Sequence, residues 1–383
     1  MRYLLFRTKR FCGFAVGFVF FVSGLLKLMD PVGSGLVMKE YFKFLHIGFL
    51  EPAATGIGMA FAFAETIIGT ALVTGVWRKI IAPIAIGLQA FFTTLTLLLV
   101  IFKPEMDCGC FGEAIHLTHG ETFVKNIIIL ALLLIYYIPK KYLGETKRKK
   151  YVSFGIVSIS SAAFALYSFL YIPMMDFTDF RPGAQINKAV ETDSFEAVFV
   201  YSKEGKEDTF TLDNLPDSTW TFVRTETSEK KAYSAAQSTV SIYDENGEYA
   251  DSLLTAGKVM VISVYDDISK KETELINGFM ENARSAGFIP FVLTSVNTTG
   301  LDVPTYNCDH KTLITLNRSN GGATYINNGF IIRKWAKKTL PDHKELTMFY
   351  EEDPTDTFIG RDTKTSLAFQ GFLLYVFAVM LLL

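Results

Sequence analysis

The sequence predicts an α-helical membrane bundle of six spanning helices, with an α/β domain inserted between the fifth and the sixth. Three observations carry this. Six apolar runs are long enough to cross a bilayer. Mean hydropathy is positive (+0.27) and hydrophobic residues make up 50% of the 383 positions, which is unusual for a water-soluble chain. Residues 173–364 depart from that composition and are polar, with short β-rich runs. The formal charge of −2 gives no bulk basic character, so nucleic acid is not expected as a partner. Membrane lipid is.

The spans fall at 11–29, 52–76, 80–102, 122–139, 151–172 and 365–383. The first carries Lys27 near its outer end and is followed by Asp30. The second carries one acid, Glu65, near its middle. The third is uncharged, with Gln89 its most polar side chain. The fourth is short, and Lys125 near its start is placed to snorkel to the interface. Lys and Arg cluster before span one, at Arg78 and Lys79, and in KKYLGETKRKK between spans four and five. Alternating helices put all three clusters on one side, which the charge bias makes cytoplasmic. Both termini then lie inside, and loops 30–51, 103–121 and 173–364 face outward. Span one has a basic flank but no A-x-A site, and reads as a retained helix rather than a signal peptide.

In the outer segment, EAVFVY and DTFTL flank SKEGKE as one hairpin, and VSIYDENGEY turns at Glu245–Gly247 as a second. KVMVISVYDD is a continuous apolar run typical of a buried strand. Residues 269–286 form a helix with Leu275, Ile276, Phe279, Met280 and Ala283 on one face. FIPFVLTS is a strand, 309–317 a helix, and ATYINNGFIIRKW two strands joined at Asn327-Asn328-Gly329. Strand, helix, strand, helix, hairpin is the order of a thioredoxin-like domain. Trp220 and Trp335 are expected to pack in core or hairpin.

The stretches SGLLKLMDPVG, FAETIIGTALVTGV and DCGCFGEAIHLTHGETFVKN make residues 1–142 resemble the DoxX/MauE superfamily, whose core is a four-helix membrane domain. The whole chain is similar to DoxX-family proteins of Bacteroidetes. These add a fifth helix (here with the basic loop, 143–172), a DFRPG-type entry (Asp179 to Gly183), a periplasmic thioredoxin-like domain (173–364) and a sixth helix (365–383). The resemblance implies a bacterial inner-membrane protein and, from MauE-type relatives, a part in forming or shuffling disulfides outside the membrane. The thioredoxin-like segment departs from an active thioredoxin. Asp266, Asp267, Ser269 and Lys270 occupy the turn that should hold Cys-x-x-Cys, and Gly321-Gly322 stands where a cis-proline is usual.

Of four cysteines, Cys12 reads as a small apolar helix residue. Cys108-Gly109-Cys110 admits three readings. A redox couple is one: a one-residue spacer closes a strained ring, strain makes the bond easily reduced, and Gly109 supplies the backbone freedom. Lys103 would lower a thiol pKa there, opposed by Asp107 and Glu113. A structural loop staple is the second. The third is a metal site of Cys108, Cys110, His116 and His119. Cys308 is the odd outward thiol, either an exchange partner of the loop or a buried thiol at a helix start. Glu65 needs a partner at its depth, and Lys27 is the nearest candidate, with Asp30 beside it and Gln89 able to join. Two function classes follow. One is a membrane component of thiol–disulfide exchange using Cys108 and Cys110, with a quinone as electron acceptor. The other is a non-enzymatic anchor or assembly factor whose outer domain binds a periplasmic or membrane protein.

Overall fold

The computed structural model describes residues 2–139, 146–187, 190–203, 206–210, 216, 219–234 and 240–382. Six helices come first, with one short strand among them: α1 (Arg2–Met29), α2 (Pro31–Phe44), α3 (Ala54–Thr74), α4 (Arg78–Phe102), β1 (Cys110–Glu113), α5 (His119–Tyr137) and α6 (Arg148–Leu170). Among the described residues, five stretches are long and apolar enough to cross a membrane: Phe6–Met29, Gly48–Thr74, Arg78–Phe102, His119–Tyr137 and Arg148–Leu170. Expected span six falls inside the last helix of the chain, whose apolar stretch Ser366–Leu381 is shorter than these.

Residues 30–51, expected as a loop, hold helix α2. Its start signal is local. Asp30 caps it, accepting from the Gly33 N–H at 2.9 Å, and Pro31 opens the first turn. The helix Pro31–Phe44 then packs on α3.

Small residues set the bundle. Gly17 of α1 and Gly69 of α3 bring two backbones together, and a Cβ on Gly17 would lie 2.8 Å from the Gly69 carbonyl oxygen. On α3, Thr66, Thr70 and Thr74 donate to the carbonyls of Ala62, Thr66 and Thr70 at 2.7–2.8 Å, so their hydroxyls are satisfied within the helix. Lys9, 2% exposed, donates to the Tyr136 and Pro139 carbonyls at 3.0 Å, a cation at the C-terminal end of α5. Gly69→Leu is expected to cost upward of about 1–3 kcal/mol through overpacking. Gly87→Leu is the control, because nothing lies near its missing Cβ. Heat unfolding of the full chain in detergent separates the two; equal melting would exclude the close α1–α3 seam.

Residues 185–240 form a compact unit of their own. It holds β2 (Val190–Lys203), β3 (Lys206–Phe210) and β4 (Thr221–Ser234), an antiparallel sheet in the order β3-β2-β4. The expected first hairpin is β2–β3, paired from Phe199↔Phe210 to Lys203↔Lys206; part of its turn lies outside the described residues. Trp220 meets Phe210 edge-on at 5.2 Å.

The α/β region of the first unit runs β5 (Ile242–Tyr243), β6 (Lys258–Val264), α7 (Lys270–Ser285), β7 (Ile289–Thr294), β8 (Thr305–Cys308), α8 (His310–Leu316), β9 (Gly322–Asn327), β10 (Phe330–Trp335), α9 (His343–Glu351) and α10 (Pro354–Leu382). The sheet order is β10-β9-β6-β7-β8-β5. β6, β7 and β8 are parallel, and β9–β10 is an antiparallel hairpin turned by Asn328 and Gly329 at φ 48° and 82°. The expected second hairpin is smaller than predicted. Asp244 folds the turn on itself, Tyr243 bridges Tyr249 and the Ala250 N–H donates to the Ile242 carbonyl at 2.9 Å across it, and β5 also pairs with β8.

On α7, Ile276, Phe279, Met280 and Ala283 are buried against Met260, Ile262 and Val264. Leu275, expected on that face, is 48% exposed; one step before Ile276, it lies about 100° round the helix. Trp335 is core, as expected. The segment after α6 straps the sheet edge: Gly183 N–H donates to the Ile331 carbonyl at 2.7 Å, and Ile331 N–H to that of Ala184 at 2.9 Å. Beneath the strap, Asp176 pairs with the buried Lys334 at 2.6 Å. Helix α10 returns alongside α6: Ser153 Oγ donates to the Val379 carbonyl at 2.7 Å, and Phe164 stacks on Phe372 at 4.8 Å.

Candidate functional site

Helices α1 and α3 bring Lys27 and Glu65 together. Lys27 Nζ lies 2.8 and 3.0 Å from the two Glu65 oxygens, which settles the pairing expected from depth alone. Ser23, one turn back on α1, places its Oγ 3.1 Å from Glu65 Oε2 and 2.6 Å from the Cys110 carbonyl. The ion pair is thus one hydroxyl away from the CGC loop.

That loop is held from several sides. Tyr41 of α2 donates its phenol to the Cys108 carbonyl at 2.9 Å. Gly109 adopts φ +60°, directly over Val37, where a side chain would be strained and would collide. Cys108 is buried and Cys110 half-buried, and all four cysteines are free thiols. Burial pushes the Cys108 thiol up; Thr122 and, more weakly, Lys125 pull the other way. Thr122 Oγ1 is buried with no other hydrogen-bond partner, so its proton is available to a thiolate. The cation that bears on Cys108 is therefore Lys125 of α5, whereas the sequence pointed to Lys103. Lys125 reaches from α5 to the loop, its ammonium over the Phe111 ring at 4.6 Å.

These groups wall a cavity of about 300 Å³. Cys108, Gly109 and Cys110 form part of one side, Lys27 and Glu65 the polar end, and Phe61, Phe91 and Phe92 an aromatic side. Gln89 lines it but does not join the ion pair. It donates to the Asn126 carbonyl at 3.1 Å, and Asn126 in turn donates to Thr96 Oγ1 at 3.2 Å, a polar seam between α4 and α5.

Above the loop lies a group the sequence did not disclose. Arg318, between α8 and β9, has a side chain 4% exposed. Its guanidinium meets Asp30 at 2.9 Å and Glu113 at 3.0 Å. Burial alone would lower the guanidinium's pKa, and the carboxylates of Asp30 and Glu113, with Asp176 beyond them, more than reverse this. Asp30 therefore caps α2 and binds the α/β region at once, and Glu113 is occupied by Arg318 rather than set against the thiols. Lys311 reaches Glu40 at 2.9 Å as a second, exposed link. Asn320 fixes the arginine's loop, accepting from the Tyr265 N–H at 2.9 Å and donating to the Asp266 carbonyl at 3.1 Å.

The alternative metal set is not assembled. His119 Nε2 is 2.9 Å from the Met106 carbonyl and His116 Nδ1 3.5 Å from Asp107. Among the described residues, no three His, Cys, Asp or Glu side chains gather around a common point. Cys308 lies apart from the cavity lining, at the end of β8 opposite Ile242. Its thiol is pushed up to about 12, by burial first and then Asp309. It should stay protonated at pH 8 and alkylate far more slowly than the half-buried Cys110. Mass spectrometry of the iodoacetamide-treated native chain checks this; equal labelling would contradict the burial.

Arg318 and Asp30 are 288 residues apart, so no local pattern could pair them. Ser23 and Tyr41 act on backbone carbonyls, which carry no sequence signal.

Residues 3–139 match the family described as methylamine utilisation protein MauE. Residues 195–232 match a domain of unknown function. The chain is similar to Protein TlpB of Flavobacterium psychrophilum, 26% identical over 211 residues that cover 52% of this chain and 54% of the relative. It thus spans about half the length of the curated relative it matches. No solved structure matches the chain. The MauE match and the apolar helices place this protein in a membrane.

Proposed function

We propose that this protein is an inner-membrane component of periplasmic thiol–disulfide exchange, with Cys108 and Cys110 as its redox couple. One observation carries the reading: the two cysteines wall an apolar cavity whose inner end holds a charge pair, linked to the Cys110 carbonyl through Ser23. The MauE match over the helices supports it. In this reading six helices span, both termini are cytoplasmic, and residues 173–364 are periplasmic. The strand–helix–strand–helix–hairpin order around β6 supports a thioredoxin-like domain, which has lost its own cysteines and serves to dock a protein partner.

The exchange balances as follows. A partner dithiol attacks the Cys108–Cys110 disulfide through one thiolate, giving a mixed disulfide and one free loop thiol. The second partner thiol then displaces the loop. The partner leaves as a disulfide, and two loop thiols have gained two electrons and two protons. Restoring the loop disulfide needs a two-electron, two-proton acceptor, and a quinone supplies that chemistry. The residues fit such a group: Phe61 and Phe92 offer faces for a flat ring, and Lys27 and the Gln89–Asn126 seam offer polar contacts. Glu65, held by Lys27 and Ser23, is placed to accept a proton beside the loop.

A second reading is favoured by the turn Asp266–Ser269, which holds no thiol. There the chain is an assembly factor and CGC a permanent staple. Thiol trapping in cells decides. Partly reduced or mixed-disulfide Cys108 and Cys110 support exchange, while a pair found always and fully oxidised leaves the assembly factor.

A further inference from the structure

The cavity has to be reached from somewhere, and its wall shows where it meets the membrane. Phe61 of α3 and Phe91 of α4 lie with their rings parallel, 3° between planes and 6.2 Å between centroids. Phe92 closes on both, at 6.2 and 5.7 Å. Phe91 lines the cavity and is still 50% exposed, and Leu45, just past α2, does the same at 38%. The cavity therefore reaches the outer surface of the bundle at the α3–α4 seam. The exposed side chains along α4 there are Ile84, Leu97 and Ile101, together with Thr94, whose hydroxyl is satisfied within the helix on the Ala90 carbonyl at 3.0 Å. That surface faces hydrocarbon rather than water.

From outside to inside the order is exposed apolar side chains, a parallel pair of rings, then Lys27 and Glu65, with Lys27 Nζ 5.7 Å from the Phe92 ring centre. A water-soluble substrate would have to cross lipid to enter here. A wholly apolar lipid would leave the charged end unmatched. A molecule with a flat polar head and an apolar tail matches the whole sequence. About 300 Å³ lies at the small end of ligand sites, enough for a ring but not for its tail.

We propose that the α3–α4 seam, framed by Phe61 and Phe91, is a lateral doorway through which a ring-headed, quinone-class lipid enters the cavity from the bilayer. Its ring seats against Phe61 and Phe92 with Lys27 at its edge, and its tail stays outside over Leu45 and Phe91. The inference rests on the cavity reading above and adds the route. A second groove, between α1 and α5, shares Val19, Phe111, Lys125 and Ile129 with the cavity wall, but the Lys125–Phe111 pair stands between the two spaces.

The test uses the full chain in nanodiscs and an azido-benzoquinone carrying a decyl tail. After photolysis, labelled peptides are identified by mass spectrometry over a time course. The wild type is expected to label on α3 and α4 peptides. Leu45→Trp with Phe91→Trp narrows the doorway and should slow labelling about tenfold while leaving the final level within about twofold, the mark of a changed route rather than a changed site. Val124→Trp fills the α1–α5 groove and should leave the time course unaltered. An unslowed doorway variant, with the wild type labelled, overturns the doorway alone. Slowing by Val124→Trp instead moves the entrance to α1–α5 and also overturns it. A wild type that takes no label sinks the cavity reading and the doorway together.

Discussion

Replacing either Cys108 or Cys110 by Ser is expected to abolish thiol exchange while the protein still accumulates in the membrane. The helices are held by their own contacts, Gly17 on Gly69 and Lys27 on Glu65 among them, and none of these needs a loop disulfide. The bond itself should be a strong oxidant. Structural disulfides of secreted proteins typically fall below about −300 mV and strongly oxidising couples reach about −120 mV. A one-residue spacer places this couple in the upper half of that interval. Burial of Cys108 adds to the asymmetry between the two sulfurs. Cys110, half-buried, is the sulfur that an incoming partner thiolate can reach, so it is expected to carry the mixed disulfide with the partner. Redox titration against glutathione, read on the loop peptide, measures the midpoint. A value at or below the structural range, or no intra-loop bond, removes the redox couple.

Arg318→Met is expected to have the largest effect on stability. It takes the counter-charge from Asp30 and Glu113 together, whose side chains are only 13% and 28% exposed. Breaking a buried pair by removing one partner costs about 3–5 kcal/mol, and the partial exposure of Glu113 argues for the lower end. Asp30 would also keep its capping bond to Gly33 N–H, so α2 should survive while the α/β region loses its seat. Adding Asp30→Asn and Glu113→Gln to Arg318→Met should recover much of the loss, because no carboxylate is then left unpaired. Heat unfolding and limited proteolysis of the full chain in detergent report both effects. Wild-type melting for Arg318→Met would mean that the triad holds nothing. The same geometry makes Glu113→Gln a change to the contact with Arg318 rather than to the thiols.

The parts legible in the sequence were those that physical necessity forces. A carboxylate in mid-membrane needs a partner, and Lys27 was the cation within reach. Continuous apolar runs bounded by turn residues located β6, β7 and the Asn328-Gly329 hairpin. The parts that were hidden depend on distance along the chain or on mixed composition. Residues 31–44 carry charges and glycines and no clean apolar stripe, so α2 was readable only through its Asp30-Pro31 start. The place of Lys125 over the Phe111 ring depends on a loop that folds back, which no local pattern discloses. Leu275 was placed one residue too far round its helix. Residues 185–240 looked continuous with their surroundings in composition, yet they form a compact unit whose described strands make one sheet.

Helices α6 and α10 lie side by side, joined by Ser153 on Val379 and Lys150 on Met380. The polypeptide that leaves the bundle after α6 therefore re-enters it at an adjacent point. Everything between is a tethered loop and not a free partner. For such a tether the effective concentration of one end near the other is in the millimolar range for short linkers. Each Arg318 meets its own Asp30 and Glu113 at that concentration, however few copies the cell makes. A contact too weak to hold two separate proteins would still be nearly saturated here. A soluble rival presenting a similar arginine could displace it only at comparable abundance.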